Sequence, residues 1–165
     1  MSKMAAILAV LLCIAVAVSG CGRPQQTYTT PDGKVTTTKT GPNSGKVEFQ
    51  GKEGKVTVET NQGQTVTEAD LGVPVYPGVT VLSTNKMDMN GGKMEQYSLS
   101  TTDSVDKVAE FYKSNLKNVV NSSSGSSDDG QTATFTVGSN EKPTNIIIHR
   151  GKSDDKTLIA ITKSM

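Results

Sequence analysis

The sequence predicts an α+β fold: an antiparallel sheet of about six strands with one helix across a face, ordered ββαββββ. A disordered tether and a β-hairpin precede it. Three observations carry this expectation. Apolar content shifts along the chain, since six of the 49 residues at 22–70 are Leu, Ile, Val or Phe, against 21 of the 95 at 71–165. Asn90-Gly91 separates two alternating segments, the signature of a two-residue hairpin with a primed turn. One segment carries helical spacing: Val105, Val108, Ala109, Tyr112 and Leu116 share a face at a 3.6-residue period.

Met1-Ser2-Lys3 is a short, weakly positive start, and Ala5 to Val18 is an unbroken apolar run of 14 residues. That length suits the hydrophobic core of a signal peptide and falls short of the ~20 residues that span a bilayer. The run leaves through Val18-Ser19-Gly20-Cys21, an aliphatic residue, two small ones and a Cys. This exit resembles the lipobox of bacterial lipoproteins. The resemblance implies a signal peptide over residues 1–20, cleavage before Cys21, a thioether-linked diacylglycerol on Cys21, and acylation of the new amino terminus. Such chemistry needs a thiol nucleophile at the membrane surface, with small neighbours to admit the processing enzymes. Cys13 has no small residues before it and reads as filler within the run. Gly22 follows Cys21 where, in the family, an Asp retains the protein in the inner membrane. The resemblance therefore implies outer-membrane delivery in an organism that has one.

Residues 22–45 are rich in Thr, Gly and Pro, too apolar-poor to offset the entropy of ordering, and predict a disordered tether beginning at the lipidated Cys21. Residues 46–70 predict a hairpin arm, because Val47 and Phe49 alternate before Gly51–Gly54 and Val56 and Val58 alternate after it. A pentad recurs there, Asp32-Gly-Lys-Val-Thr36 and Glu53-Gly-Lys-Val-Thr57, but two copies fall short of the ~3 that a solenoid needs.

Residues 71–165 predict the α+β domain. After a turn at Val75–Gly78, a strand over Val79–Met89 returns over Lys93–Thr101. Pairing Met89 with Gly92 sets Asp88 against Lys93, Met87 against Met94, Lys86 against Glu95 and Leu82 against Leu99. Asp103 is the expected N-cap of the helix, which ends near Asn118. Val119-Val120 opens a strand that fades into Ser122–Ser127. Asp128-Asp129-Gly130 turns, Ala133, Phe135 and Val137 alternate, and Ile146–Ile148 and Leu158–Ile161 complete a meander. Three features resemble a group of bacterial envelope lipoproteins over residues 68–163: Pro74-Val-Tyr76-Pro-Gly78, the helix motif Val108-Ala-Glu-Phe111-Tyr112, and the closing meander. The resemblance implies an order of elements and no activity.

From Gly22 onward there are 16 basic and 16 acidic residues, balanced locally, so no cluster of Lys and Arg exists to replace phosphate counterions. Nucleic acid is excluded as a partner. The two cysteines, Cys13 and Cys21, precede the folded part, which excludes disulfides, zinc sites and thiol catalysis there. His149 is the single histidine and has no partner in sequence. The serines at 122–127 lack a nucleophile elbow, and Asp128-Asp129 and Asp154-Asp155 lack calcium-loop spacing. Methionine is the one constellation with chemistry: Met87 faces Met94 with Met89 diagonal to them, and soft thioethers suit Cu(I). Met as sheet-face filler is the competing explanation. The sequence thus predicts a non-enzymatic envelope lipoprotein without a cofactor, held on the extracytoplasmic side by its acyl groups. Its small domain would bind an envelope protein or peptidoglycan. A small-ligand or Cu(I) carrier is the alternative.

Overall fold

Among the described residues, ten strands pair into one antiparallel sheet. The structure, a computed structural model, describes residues 25–52, 54–89, 92–139 and 141–165. Cys21, the apolar run before it and the Asn90-Gly91 turn lie outside the described residues. The strands are β1 (Gln25–Thr30), β2 (Gly33–Gly41), β3 (Ser44–Gly51), β4 (Gly54–Asn61), β5 (Thr80–Met89), β6 (Gly92–Thr101), β7 (Val119–Ser127), β8 (Gly130–Gly138), β9 (Pro143–Gly151) and β10 (Thr157–Ser164). A single-turn helix, α1 (Glu68–Leu71), precedes β5, and α2 (Val105–Asn115) follows β6. The spatial order is β1-β2-β3-β4-β5-β6-β10-β9-β8-β7. The chain therefore lays down six neighbouring strands, crosses by way of α2 to the far edge, and returns inward until β10 fills the gap beside β6.

This is a mostly β fold, and the expected ββαββββ arrangement of about six strands is incorrect. The error lies chiefly at the N-terminal side. The stretch expected as a disordered tether belongs to the sheet from Gln25 on, where β1 and β2 pair through Thr27↔Thr36 and Tyr28↔Val35. Counting only Leu, Ile, Val and Phe overlooked threonine, which is β-branched and well suited to a pleated surface. A strand added to an existing edge also gains its ladder hydrogen bonds without supplying a core of its own. The expected hairpin is present as β3 and β4, with Val47 opposite Val58 and Phe49 opposite Val56, and it is joined to the rest of the sheet, because β4 pairs with β5 from Thr57↔Asp88 to Asn61↔Thr84. At the other end, Ser122–Ser127 do not fade out of the sheet but complete the edge strand β7.

Between β5 and β6 the expected register is present in four pairs, Met89↔Gly92, Asp88↔Lys93, Met87↔Met94 and Lys86↔Glu95. The expected Leu82–Leu99 pair is absent. A bulge between Val81 and Ser83 puts Val81 opposite Leu99 and leaves Leu82 40 % exposed. Ser104, not Asp103, caps α2, accepting from the Lys107 N–H at 3.3 Å. Asp103 is occupied elsewhere, accepting from the Tyr76 hydroxyl at 2.7 Å and the Lys107 ammonium at 2.9 Å. The helix stops at Asn115 rather than near Asn118, since Leu116 turns extended and Asn118 takes φ 56°.

α2 lays Val105, Val108 and Tyr112 over one face of the sheet. Beneath it, Ile146 and Ile148 of β9 and Ile159 and Ile161 of β10 are wholly buried. Leu71, Val73 and Tyr76 close the side of this core, with Phe111 meeting the Tyr76 ring edge-on at 5.1 Å. The buried core contains no residue of β1–β4. That region, residues 25–61, is held by strand pairing and by side-chain contacts across the strands, such as the Lys46–Glu59 ion pair.

Within the core the Tyr112 hydroxyl is buried facing the Tyr76 backbone, without a hydrogen bond of good geometry. Burial pushes its titration upward from the ordinary tyrosine value. An unpaired buried hydroxyl costs about 1–3 kcal/mol of desolvation, so Tyr112→Phe should leave the fold as stable or up to ~1 kcal/mol more stable. Urea denaturation checks this. A loss above ~1 kcal/mol would reveal a partner for the hydroxyl.

Candidate functional site

Register sorts the strand side chains by face. On the α2 side, Lys46 pairs with Glu59, Glu59 with Lys86, Lys86 with Glu95, and Glu95 with Lys163. One row of alternating charge thus crosses β3, β4, β5, β6 and β10. Its ion pairs measure 3.4 Å for Lys46–Glu59, 3.1 Å for Lys86–Glu95 and 3.3 Å for Lys163–Glu95. A second row joins it, with Glu48 2.7 Å from Lys55 and Asp88 3.7 Å from Lys93. Together they border a shallow depression of about 400 Å³. Each of its four carboxylates lies within ion-pair distance of a lysine.

Glu95 is the centre of this arrangement and is only 8 % exposed. It accepts a hydrogen bond from the Tyr97 hydroxyl at 2.8 Å and is flanked by Lys86 and Lys163. Burial works to raise the Glu95 carboxyl, but the Tyr97 hydrogen bond and the two ammonium groups outweigh it and hold the carboxyl below its ordinary value. Burial first, and then the Glu95 carboxylate, push the Tyr97 hydroxyl upward. Lys163 also donates to the Asp70 carbonyl at 2.8 Å, tying the last strand to α1. Lys55, then Lys46, lower the half-buried Glu48 carboxyl, and Glu48 in turn raises Lys46. At the other end of the core, burial and then Asp103 push Tyr76 up to about 12.

The opposite face has the contrary character. Among the described strand residues, every Lys, Arg, Asp and Glu except Lys39 lies on the α2 side. Away from α2, one row runs Thr37↔Val47↔Val58↔Met87↔Met94 across β2 to β6. A shorter row runs Tyr28↔Val35↔Phe49↔Val56 across β1 to β4. Threonines, asparagines and glutamine fill the places between, such as Thr60, Asn85 and Gln96. Ile147 and Leu158 stand exposed further along this face.

The residues singled out from sequence fall as follows. Met87 and Met94 are direct partners and half-buried on the uncharged face; Met89 pairs with Gly92, and its side chain lies outside those described. His149 shares that face, its Nδ1 3.0 Å from the Thr132 hydroxyl. The serines of 122–127 line the free edge of β7, where Ser123 meets the Thr134 hydroxyl at 2.8 Å. Asp128 and Asp129 turn between β7 and β8, whereas Asp154 accepts from the Gly151 N–H at 3.1 Å. Among the described residues, no group of three or more His, Cys, Asp or Glu is placed to hold a metal ion, and no helix is long and apolar enough to cross a membrane. Two rungs of the ladder, Asp88–Lys93 and Lys86–Glu95, were legible from the hairpin. The Lys163 rung was not, because 68 positions separate it from Glu95. No protein-family profile, curated protein sequence or solved structure matches this chain.

The shift at Glu95 has a sign that can be measured. A lowered native value means that the charged carboxylate stabilises the fold above the ordinary glutamate value of about 4.3. That contribution is lost as pH falls through the lower native value. Glu95→Gln should therefore cost about 1.5–3 kcal/mol at pH 7, and the gap to wild type should narrow towards pH 3. Urea midpoints at the two pH values decide it. A gap unchanged by acid would show that charge is not its source.

Proposed function

We propose that this chain is a bacterial envelope lipoprotein, anchored through acyl groups on Cys21 and acting through a non-enzymatic interaction domain. The observation that carries the reading is the Val18-Ser19-Gly20-Cys21 exit from a 14-residue apolar run. Extracytoplasmic placement follows from the same segment, with the outer membrane as its destination where one exists. The start of β1 at Gln25 refines the arrangement. Four residue steps reach at most ~14 Å, so acylation at Cys21 would hold the sheet edge close to the headgroups instead of on a long tether.

An interaction role is supported by what the broad faces offer. One presents lysine–carboxylate pairs, and the other presents valine, methionine and threonine in rows. Both suit contact with an envelope protein or with peptidoglycan. A Cu(I)-binding role is the second reading, favoured by the direct Met87↔Met94 pair.

Labelling with fatty acid tests the anchor. Cys21→Ala should abolish incorporation and leave the signal segment uncleaved, while Cys13→Ala should change neither. Wild-type labelling of the Cys21 variant would remove the basis of the proposal. Titration with Cu(I) tests the second reading: wild type should bind at least tenfold more tightly than a Met87→Leu/Met94→Leu variant, and equal affinity ends it.

A further inference from the structure

We infer that the uncharged face of β1–β6 is the interface with a second copy of this chain, the two sheets packing face to face about a two-fold axis that runs across the strands. The need for cover comes from the architecture. A stable sheet buries at least one face against another layer, yet no residue of β1–β4 enters the buried core. Val35, Val47, Phe49, Val56 and Val58 are left half-buried on one side of a single layer.

Charge decides which face can be covered. Stacking the α2 side would strip water from Lys46, Glu48, Lys55 and Glu59, and α2 blocks the remainder of it. The other side carries only Lys39, which sits at a bulge near the end of β2, so its desolvation leaves no row of buried charge. The row from Val47 to Met94 runs across the strands. An axis along that row sets each member against its own copy, Val47 on Val47 and Val58 on Val58, as a two-fold interface requires. The sheets would then lie ~10 Å apart with interdigitating side chains. Six strands ~4.8 Å apart, each about eight residues at ~3.3 Å, offer roughly 750 Å² per copy, close to the ~800 Å² of a stable interface.

A bilayer is the competing occupant, and the face is unsuited to it. Thr37 and Gln96 would lose water in hydrocarbon with nothing to replace it, although Thr60 donates to Asn85 at 2.9 Å within the sheet, and no set of Lys or Arg stands ready for anionic headgroups. The axis direction, though not the pairing of faces, rests on the lipoprotein reading. An axis across the strands brings both β1 edges to the same end of the dimer, so both Cys21 anchors can enter one membrane.

Cysteine crosslinking of the full chain in its own membranes tests this, since Cys13 and Cys21 are the only cysteines present. With a short bis-maleimide that spans the ~10 Å between the sheets, a gap too wide for a direct disulfide, Val47→Cys, Val58→Cys and Met94→Cys should each form a crosslinked dimer, at least tenfold more than Thr57→Cys on the charged face. Equal crosslinking at Val58 and Thr57, or none at either, would overturn the interface. Crosslinking at only one of the three row positions would place the axis along a strand and overturn the orientation. As a second measurement, detergent-solubilised wild type should have twice the monomer mass and Val58→Lys the mass of one monomer, with similar melting temperatures. A monomeric wild type at ~100 µM, well above the dissociation constant of a stable dimer, or protection of Val58→Cys by phospholipid vesicles without crosslinking, would also refute it. Fatty-acid labelling of the same membranes reads the anchor separately, so loss of the dimer and loss of the anchor are distinguishable.

Discussion

The sheet depends on where its last strand goes. β10 enters between β6 and β9, pairing with both, and without it the chain would form two separate meanders. Ile159 and Ile161 drive this insertion, since both are wholly buried under α2. Lys163 then fastens the end of the strand to Glu95 and to the Asp70 carbonyl. Apolar burial thus holds one end of β10, and a charged, hydrogen-bonded cluster fixes the other. The alternation along β10 sets both at once, because Ile159, Ile161 and Lys163 share a face and a slip of one residue would turn all three away from α2 and from Glu95.

Once β10 is in place, the molecule has two regimes. From β5 to β8 the helix α2 and the segment from Val66 to Tyr76 close a core on the sheet, and side-chain burial provides the stability. From β1 to β4 each strand is held by its neighbour, with threonine, valine and cross-strand ion pairs doing locally what a core does elsewhere. The charge ladder suits this thin region, since opposite charges directly across strands favour one register and like charges would oppose a slipped one. The same alternation leaves the reverse face nearly free of charge. A sheet with one ionic face and one neutral face has a built-in preference for what it contacts on each side.

How much of this could be read beforehand varied with sequence distance. The β5–β6 hairpin was legible down to its charge pairs, because a two-residue turn fixes register locally. The apolar stripe of α2 and the alternation of β8 were equally clear. The bulge at Leu82 was not, since nothing near Leu82 distinguishes an extra residue from a regular alternation. Ser104 took the cap because Tyr76, 27 positions before Asp103, draws that carboxylate away. Threonine-rich β1 and β2 were misread because their stability comes from a neighbouring edge and not from their own apolar content.

Local chemistry in the sequence determined the hairpin register, the helix face and the alternation that separates charged from uncharged positions. Those properties depend on residues within a turn or two of one another. Only the tertiary structure decided that ten strands form one sheet, that β10 lies between β6 and β9, and that rows from five strands join into a single ladder. Pairing partners far apart in sequence are chosen by which edge is free and which face is already covered, and neither exists until the rest of the chain has folded.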